Sequence, residues 1–129
     1  MSGAPAPLLV PTTLVTGPTA GVRERLIAAQ LAAAAPAAFV CVAVLLEGLP
    51  DGTNIISPSP FILIERIAPG CLCCTGNLVL RVTLNRLLRR RPERLYIGLA
   101  ATAHLDQLRS WLQQPPYDQL LELTPDVHT

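Results

Sequence analysis

The chain has 129 residues, of which half are apolar and 15% are charged, and its formal net charge is +1. A chain of this length suits one domain with a genuine core, covering residues 1–129, and excludes two domains. The nearly neutral charge excludes the strongly basic surface that is typical of nucleic-acid-binding proteins. All ten basic side chains are arginine, which excludes chemistry that needs a lysine, such as a Schiff base.

The first half of the chain predicts a strand, a helix, a second strand and a long loop. The first strand ends at Gly17, and an amphipathic helix follows at residues 22–35. The continuous apolar run at residues 39–46 is typical of a strand that is buried on both faces of a parallel sheet. We expect Cys41, inside this run, to act as a small buried hydrophobic residue. Residues 48–60 are rich in turn formers and predict a loop.

The second half predicts a strand, a helix, a strand, a helix and a short strand, at residues 61–67, 78–91, 94–100, 103–113 and 118–123. Pro92 ends the first of these helices, whose apolar face consists of Leu80, Leu84, Leu87 and Leu88. We expect Phe39 and Phe61 in the core and His128 in a frayed tail. Alternating strands and helices with short links predict an α/β domain with a mainly parallel sheet.

Residues 26–46 are long and apolar enough to raise the question of a membrane span. Gln30 and Pro36 interrupt the segment, its first half is mostly alanine, and no basic cluster follows it. A helix, a turn and a buried strand are therefore the better interpretation. The N-terminus lacks the positive region of a signal peptide, so we expect a cytoplasmic protein with reduced thiols and no membrane partner.

The turn after the first strand is the natural ligand site of such a fold. A phosphate loop has the pattern G-x-x-x-x-G-K-[ST]. Aligned on Gly17, that pattern meets Val22 at the second glycine, Arg23 at the lysine and Glu24 at the hydroxyl residue, while Gly21 stands one position early. These five residues form a degenerate phosphate loop. Two interpretations stay open: weak binding of an anion or nucleotide, and a strand-to-helix turn without a ligand.

A cluster of three thiols, Cys71, Cys73 and Cys74, lies within four positions. Soft thiolates in one loop suit Zn²⁺ or Cu⁺. A structural zinc site normally has two separated ligand pairs, so a single cluster predicts an open site that is suited to metal transfer. The candidates for a further ligand are Glu47, Glu65, Cys41 and His104. A redox switch through a disulfide or a sulfenic acid is the alternative, and inert thiols are a third possibility.

The segment GCLCCTGNLVLRVTLNRLLRRRPERLYI, residues 70–97, resembles the CobW/HypB/UreG family of GTPases, in its CobW-like branch of metal-insertion proteins. Matching features span about residues 12–124. The resemblance implies a P-loop NTPase-like three-layer domain with a cysteine loop that binds Zn²⁺, and Glu47 resembles a family glutamate at the end of the second strand.

The chain also departs from the family pattern. The phosphate-loop glycine, lysine and hydroxyl residue of the family fall at Val22, Arg23 and Glu24, and the family's acidic residue falls in residues 98–101, which carry no acid. The guanine-reading motif and the C-terminal domain of the family would lie beyond this chain, so we expect a truncated version of the fold. These departures argue against GTPase activity, and we assign no catalytic residue.

The sequence therefore predicts a zinc-type metal-binding protein with Cys71, Cys73, Cys74 and Glu47 as ligands, involved in metal handling or delivery to a client metalloprotein. The first alternative is a residual GTP- or GDP-binding domain, or a weak GTPase, that uses Mg²⁺. The second is a non-catalytic partner of a full-length GTPase, contacting it through a sheet edge or the Trp111 helix. An exposed apolar sheet edge would also allow a homodimer.

Overall fold

The computed structural model describes residues 9–33, 41–48, 56, 61–67, 77–100 and 105–128. Within these ranges the strands are β1 (Val10–Thr16), β2 (Val42–Glu47), β3 (Ile62–Ile67), β4 (Arg94–Leu99), β5 (Leu121–Leu123) and β6 (Val127–His128). The α-helices of the described residues are α1 (Ala20–Ala33), α2 (Asn77–Arg89) and α3 (Leu105–Leu112), and a 3₁₀ turn covers Tyr117–Gln119.

One sheet contains all of these strands, in the order β3-β2-β4-β1-β5, and β6 also pairs with β1. Each described strand pairing is parallel, which confirms the predicted α/β class. The register places Thr16 beside Leu99 and Glu47 beside Ile67. The carboxyl ends of β1, β2, β3 and β4 therefore lie together along one edge of the sheet, which we call the carboxyl edge.

Two apolar cores, one on each face of the sheet, give the domain three layers. On one face α1 contributes Ile27, which packs with residues of β1, β2 and β4. On the other face the leucines of α2 and α3 pack against the opposite side chains of the same strands. The apolar character of β2 is explained by this arrangement, because every residue from Val42 to Glu47 is buried.

Helix α2 follows the predicted amphipathic pattern. Leu80, Leu84 and Leu87 are buried, whereas the arginines of the helix are exposed. The helix ends before Arg91, which adopts a left-handed φ of 53°, and Pro92 then prevents continuation, as expected.

Several sequence-based expectations need correction. Phe61 is 44% exposed, because it precedes the outer strand β3 instead of lying between two strands. Cys41 is half-buried and lies one residue before β2, so it is not an interior residue of that strand. His128 is not in a frayed tail, because it belongs to β6 and pairs with Thr16. Phe39 and His104 lie outside the described residues.

The structure describes residues 26–33 and 41–46 of the segment that raised the question of a membrane span. Helix α1 ends at Ala33, and strand β2 begins at Val42. In the part of the chain that the structure describes, none of the helices combines the length and the apolar character that a bilayer crossing requires.

The 3₁₀ turn after α3 anchors one aromatic side chain in the core. Tyr117 is buried, and its ring lies 4.8 Å from that of Trp111, tilted by 44°. Its hydroxyl donates a hydrogen bond of 2.8 Å to Oδ1 of Asn85. Burial raises the pKa of Tyr117, and the Arg81 charge and the Asn85 hydrogen bond act in the opposite direction.

We expect Tyr117→Phe to lower the free energy of unfolding by about 1 kcal/mol, because one partly buried hydrogen bond is lost and Asn85, which is exposed, turns to water. Asn85→Ala should lower it by about 2 kcal/mol, since it leaves the tyrosine hydroxyl without its acceptor. Urea unfolding curves of both variants measure the difference. Equal stability of Asn85→Ala and the wild type would contradict this account.

Candidate functional site at the carboxyl edge of the sheet

The turn between β1 and α1 is shorter than the phosphate-loop pattern suggests. Helix α1 begins at Ala20, two residues earlier than predicted, because Thr19 caps it. The Thr19 hydroxyl accepts the N–H of Val22 at 3.1 Å, and the Thr19 carbonyl accepts the N–H of Arg23 at 3.1 Å. A phosphate loop instead needs an open segment whose N–H groups turn toward the phosphates.

Gly17 is required where this turn begins. A Cβ atom at that position would lie 2.9 Å from Cγ1 of Val22 and 3.3 Å from Cγ of Arg23. The close approach brings the first turn of α1 directly against the end of β1. Gly21 is buried within that first turn. The predicted phosphate-loop residues are thus brought together, but as a tight strand-to-helix connection.

The Arg23 side chain joins the ends of two strands. It is only 5% exposed. Its Nη1 donates to the Gly17 carbonyl at 2.8 Å, and its Nη2 donates to the Glu47 carbonyl at 3.2 Å. Burial lowers the pKa of the guanidinium, while the charges of Glu47 and Glu24 raise it. Arginine nevertheless stays protonated in proteins, so a positive charge is held at this edge.

Glu24 lies beside Arg23 and is 1% exposed. Its two carboxylate oxygens accept from the two terminal nitrogens of Arg66 near the end of β3, both at 3.1 Å. This is the bidentate geometry in which arginine and carboxylate pair most strongly. The residue at the predicted hydroxyl position of the loop therefore forms a nearly buried ion pair with β3.

Glu47 ends β2, as predicted, and is buried. Its Oε1 accepts the N–H of Ala100, directly after β4, at 2.7 Å, while its main-chain carbonyl accepts from Arg23. Gly48 follows with a φ of 110°, which favours glycine. The role of Glu47 as a metal ligand stays a prediction.

The geometry brings four charged side chains to one edge of the sheet: Arg23, Glu24, Glu47 and Arg66. We call them the strand-end cluster. Sequence reasoning singled out the first three for other roles and missed Arg66. No local pattern marks Arg66, because its partner lies 42 residues away.

The predicted thiol ligands Cys71, Cys73 and Cys74 lie outside the described residues, as does His104. Of the other candidate ligands, Glu65 accepts from Nη1 of Arg86 at 2.9 Å, in an exposed ion pair. Among residues 9–33, 41–48, 56, 61–67, 77–100 and 105–128, there is no group of three or more histidine, cysteine, aspartate or glutamate side chains that could hold a metal ion.

The elements define an α/β domain with a parallel sheet whose carboxyl edge carries the strand-end cluster. A stretch of 62 residues is 37% identical to the zinc chaperone YeiR of Escherichia coli (strain K12). That stretch makes up 47% of this chain and 19% of the relative, so the match covers about a fifth of the relative's length. No protein-family model matches the chain, and no solved structure matches it.

Proposed function

We propose that this chain is a CobW-like metal-handling protein that binds Zn²⁺ as cargo through Cys71, Cys73 and Cys74. The observation that carries the proposal is the cluster of three thiols within four positions. Thiolates at this spacing bind zinc or copper, and binding displaces their protons at neutral pH. The similarity to a zinc chaperone supports zinc as the metal.

Delivery of the metal requires a site that is not closed by four protein ligands. Three thiolates leave a position at which a client protein or a further ligand, such as Glu47, completes the coordination. A client metalloprotein in the cytoplasm is the partner that this chemistry fits. No catalytic residue is needed for such an exchange, because the ligands of donor and acceptor replace one another at the metal.

The test is a zinc titration of the whole chain, purified without oxygen, against a chromogenic competitor. We expect one tight equivalent in the wild type and none in the triple variant Cys71→Ser, Cys73→Ser, Cys74→Ser, because serine hydroxyls do not replace thiolates at zinc. The matched control is Cys41→Ser, which should keep the equivalent, because Cys41 lies just before β2, at the opposite end of that strand from Glu47. Equal zinc affinity of the triple variant and the wild type would refute the proposal.

The same titration with Cu⁺ under reducing conditions shows whether the cluster also holds this softer ion. Thiolates hold Cu⁺ more firmly than Zn²⁺, so the zinc-loaded protein should yield its metal to a client-type chelator faster than a copper-loaded form does. The reduced thiols are counted first with a thiol reagent. A count that falls on exposure to air, together with unchanged zinc binding, would favour the redox alternative.

A further inference from the structure

We infer that the strand-end cluster takes the place of a bound nucleotide, so that the carboxyl edge of the sheet is held in one arrangement by the chain's own charges. This inference shares Glu47 with the proposed metal site but uses no cysteine, and its test changes Glu24 and Arg66, so it can fail while the proposed metal function holds, and the reverse. It concerns the site at which a fold of this class would bind a phosphate.

The first step concerns the backbone N–H groups at the start of α1 and the atoms to which they donate. A phosphate loop wraps an anion with N–H groups of an open segment. Here Pro18 has no N–H, and the N–H groups of Val22 and Arg23 both donate to Thr19. For the N–H of Val22, the hydroxyl of Thr19 therefore does what a phosphate oxygen would otherwise do.

The second step concerns the direction in which the Arg23 guanidinium extends. A phosphate-binding lysine or arginine must extend toward the ligand. The guanidinium of Arg23 instead donates to the carbonyl oxygens of Gly17 and Glu47. It is buried between the ends of β1 and β2, so its charge is already engaged by main-chain dipoles.

The third step is charge balance. Two positive side chains, Arg23 and Arg66, lie with two negative ones, Glu24 and Glu47. Both oxygens of Glu24 are used by Arg66. A nucleotide entering this edge would bring more negative charge next to two buried carboxylates, and freeing Arg66 to meet it would leave Glu24 buried without its partner.

The fourth step is connectivity. The partners of the cluster are the ends of four adjacent strands: Gly17 after β1, Glu47 of β2, Arg66 of β3 and Ala100 after β4. In a nucleotide-binding protein the ligand would join such segments only while it is bound. In this chain the joining groups are covalent parts of the protein, so the edge does not depend on a ligand.

The experiment combines nucleotide addition with a double-mutant cycle on the Glu24–Arg66 ion pair. Both are measured by thermal unfolding of the whole chain. Addition of GTP, GDP or ATP with Mg²⁺, each at about 1 mM, should move the Tm of the wild type by less than about 1 °C, because a ligand that does not bind the native state does not stabilise it. A rise of several degrees with any of the three would overturn the inference.

In the cycle, Arg66→Met should lower Tm by about 10 °C, because it leaves Glu24 buried and unpaired. Glu24→Gln should lower it less, since Arg66 is partly exposed and can turn to water. The double variant should lose less than the sum of the two single variants. Strictly additive losses would overturn the inference.

The matched control is the neighbouring pair Glu65–Arg86, whose side chains are 35% and 59% exposed. Glu65→Gln and Arg86→Met should each move Tm by less than about 2 °C, as exposed pairs do. If Arg66→Met does not fold, Arg66→Lys keeps the charge but loses the bidentate contact, and should give an intermediate loss. An Arg66→Lys protein as stable as the wild type would also contradict a stabilising role of the bidentate contact between Glu24 and Arg66.

Discussion

Arg23→Met is expected to lower the free energy of unfolding by about 3 kcal/mol. The substitution keeps a long side chain but removes two charge-assisted hydrogen bonds, to the carbonyls of Gly17 and Glu47, each contributing about 1.5 kcal/mol or more. It also withdraws the positive charge that faces Glu24 and Glu47 in a buried setting. Urea unfolding at neutral pH, followed by circular dichroism, measures the loss.

The matched control for this prediction is Arg25→Met, because Arg25 lies two residues further along α1 and is exposed. It should change stability by less than about 0.5 kcal/mol. Arg23→Lys should recover only part of the loss, since one ammonium group cannot reproduce the planar, two-nitrogen contact. If Arg23→Met and Arg25→Met prove equally stable, the Arg23 contacts contribute nothing and the account of the site fails.

The layered α/β fold could be predicted because its pattern is local. A short apolar run with two valines, such as Val42–Leu46, favours an interior strand, and the leucine spacing of α2 specifies which side of the helix is buried. A periodic pattern, however, can be recognised only over several residues. Strand β6 has two residues, Val127 and His128, and no periodic signal distinguishes them from a loop.

The strand-end cluster could not be predicted because its partners are distant in the chain. Glu24 and Arg66 are 42 residues apart, and the Glu47 side chain meets Ala100 at a separation of 53 residues. The phosphate-loop pattern showed that Glu24 stands where a hydroxyl residue is expected, but it did not show what the carboxylate does instead. That answer required the parallel register that places β3 near α1.

The length of the turn was missed for a local reason. Thr19 has the side chain of a helix cap, but the phosphate-loop pattern directs attention to Val22, Arg23 and Glu24. Once Thr19 is taken as the cap, the helix must begin at Ala20. Thr19 therefore indicated a short connection, but the comparison with the phosphate-loop pattern placed the helix start at Val22 instead.

Leu80→Ala is expected to lower the free energy of unfolding by about 3 kcal/mol, within the range for leucine truncation in a well-packed core. Leu80 is 0% exposed and lies in the first turns of α2, where it packs into the core beneath the sheet. The helix begins only three residues after Cys74, so the fit of Leu80 also anchors the chain immediately after the thiol cluster.

The chain offers a closely matched control in Leu78→Ala, the same substitution two residues earlier on the same helix. Leu78 is 69% exposed, so its truncation removes little buried surface and gains the better helix propensity of alanine. We expect a change below about 0.5 kcal/mol. The comparison isolates burial, because helix, residue type and distance from the thiols are nearly the same, and equal losses at the two positions would show that α2 does not dock on the sheet through Leu80.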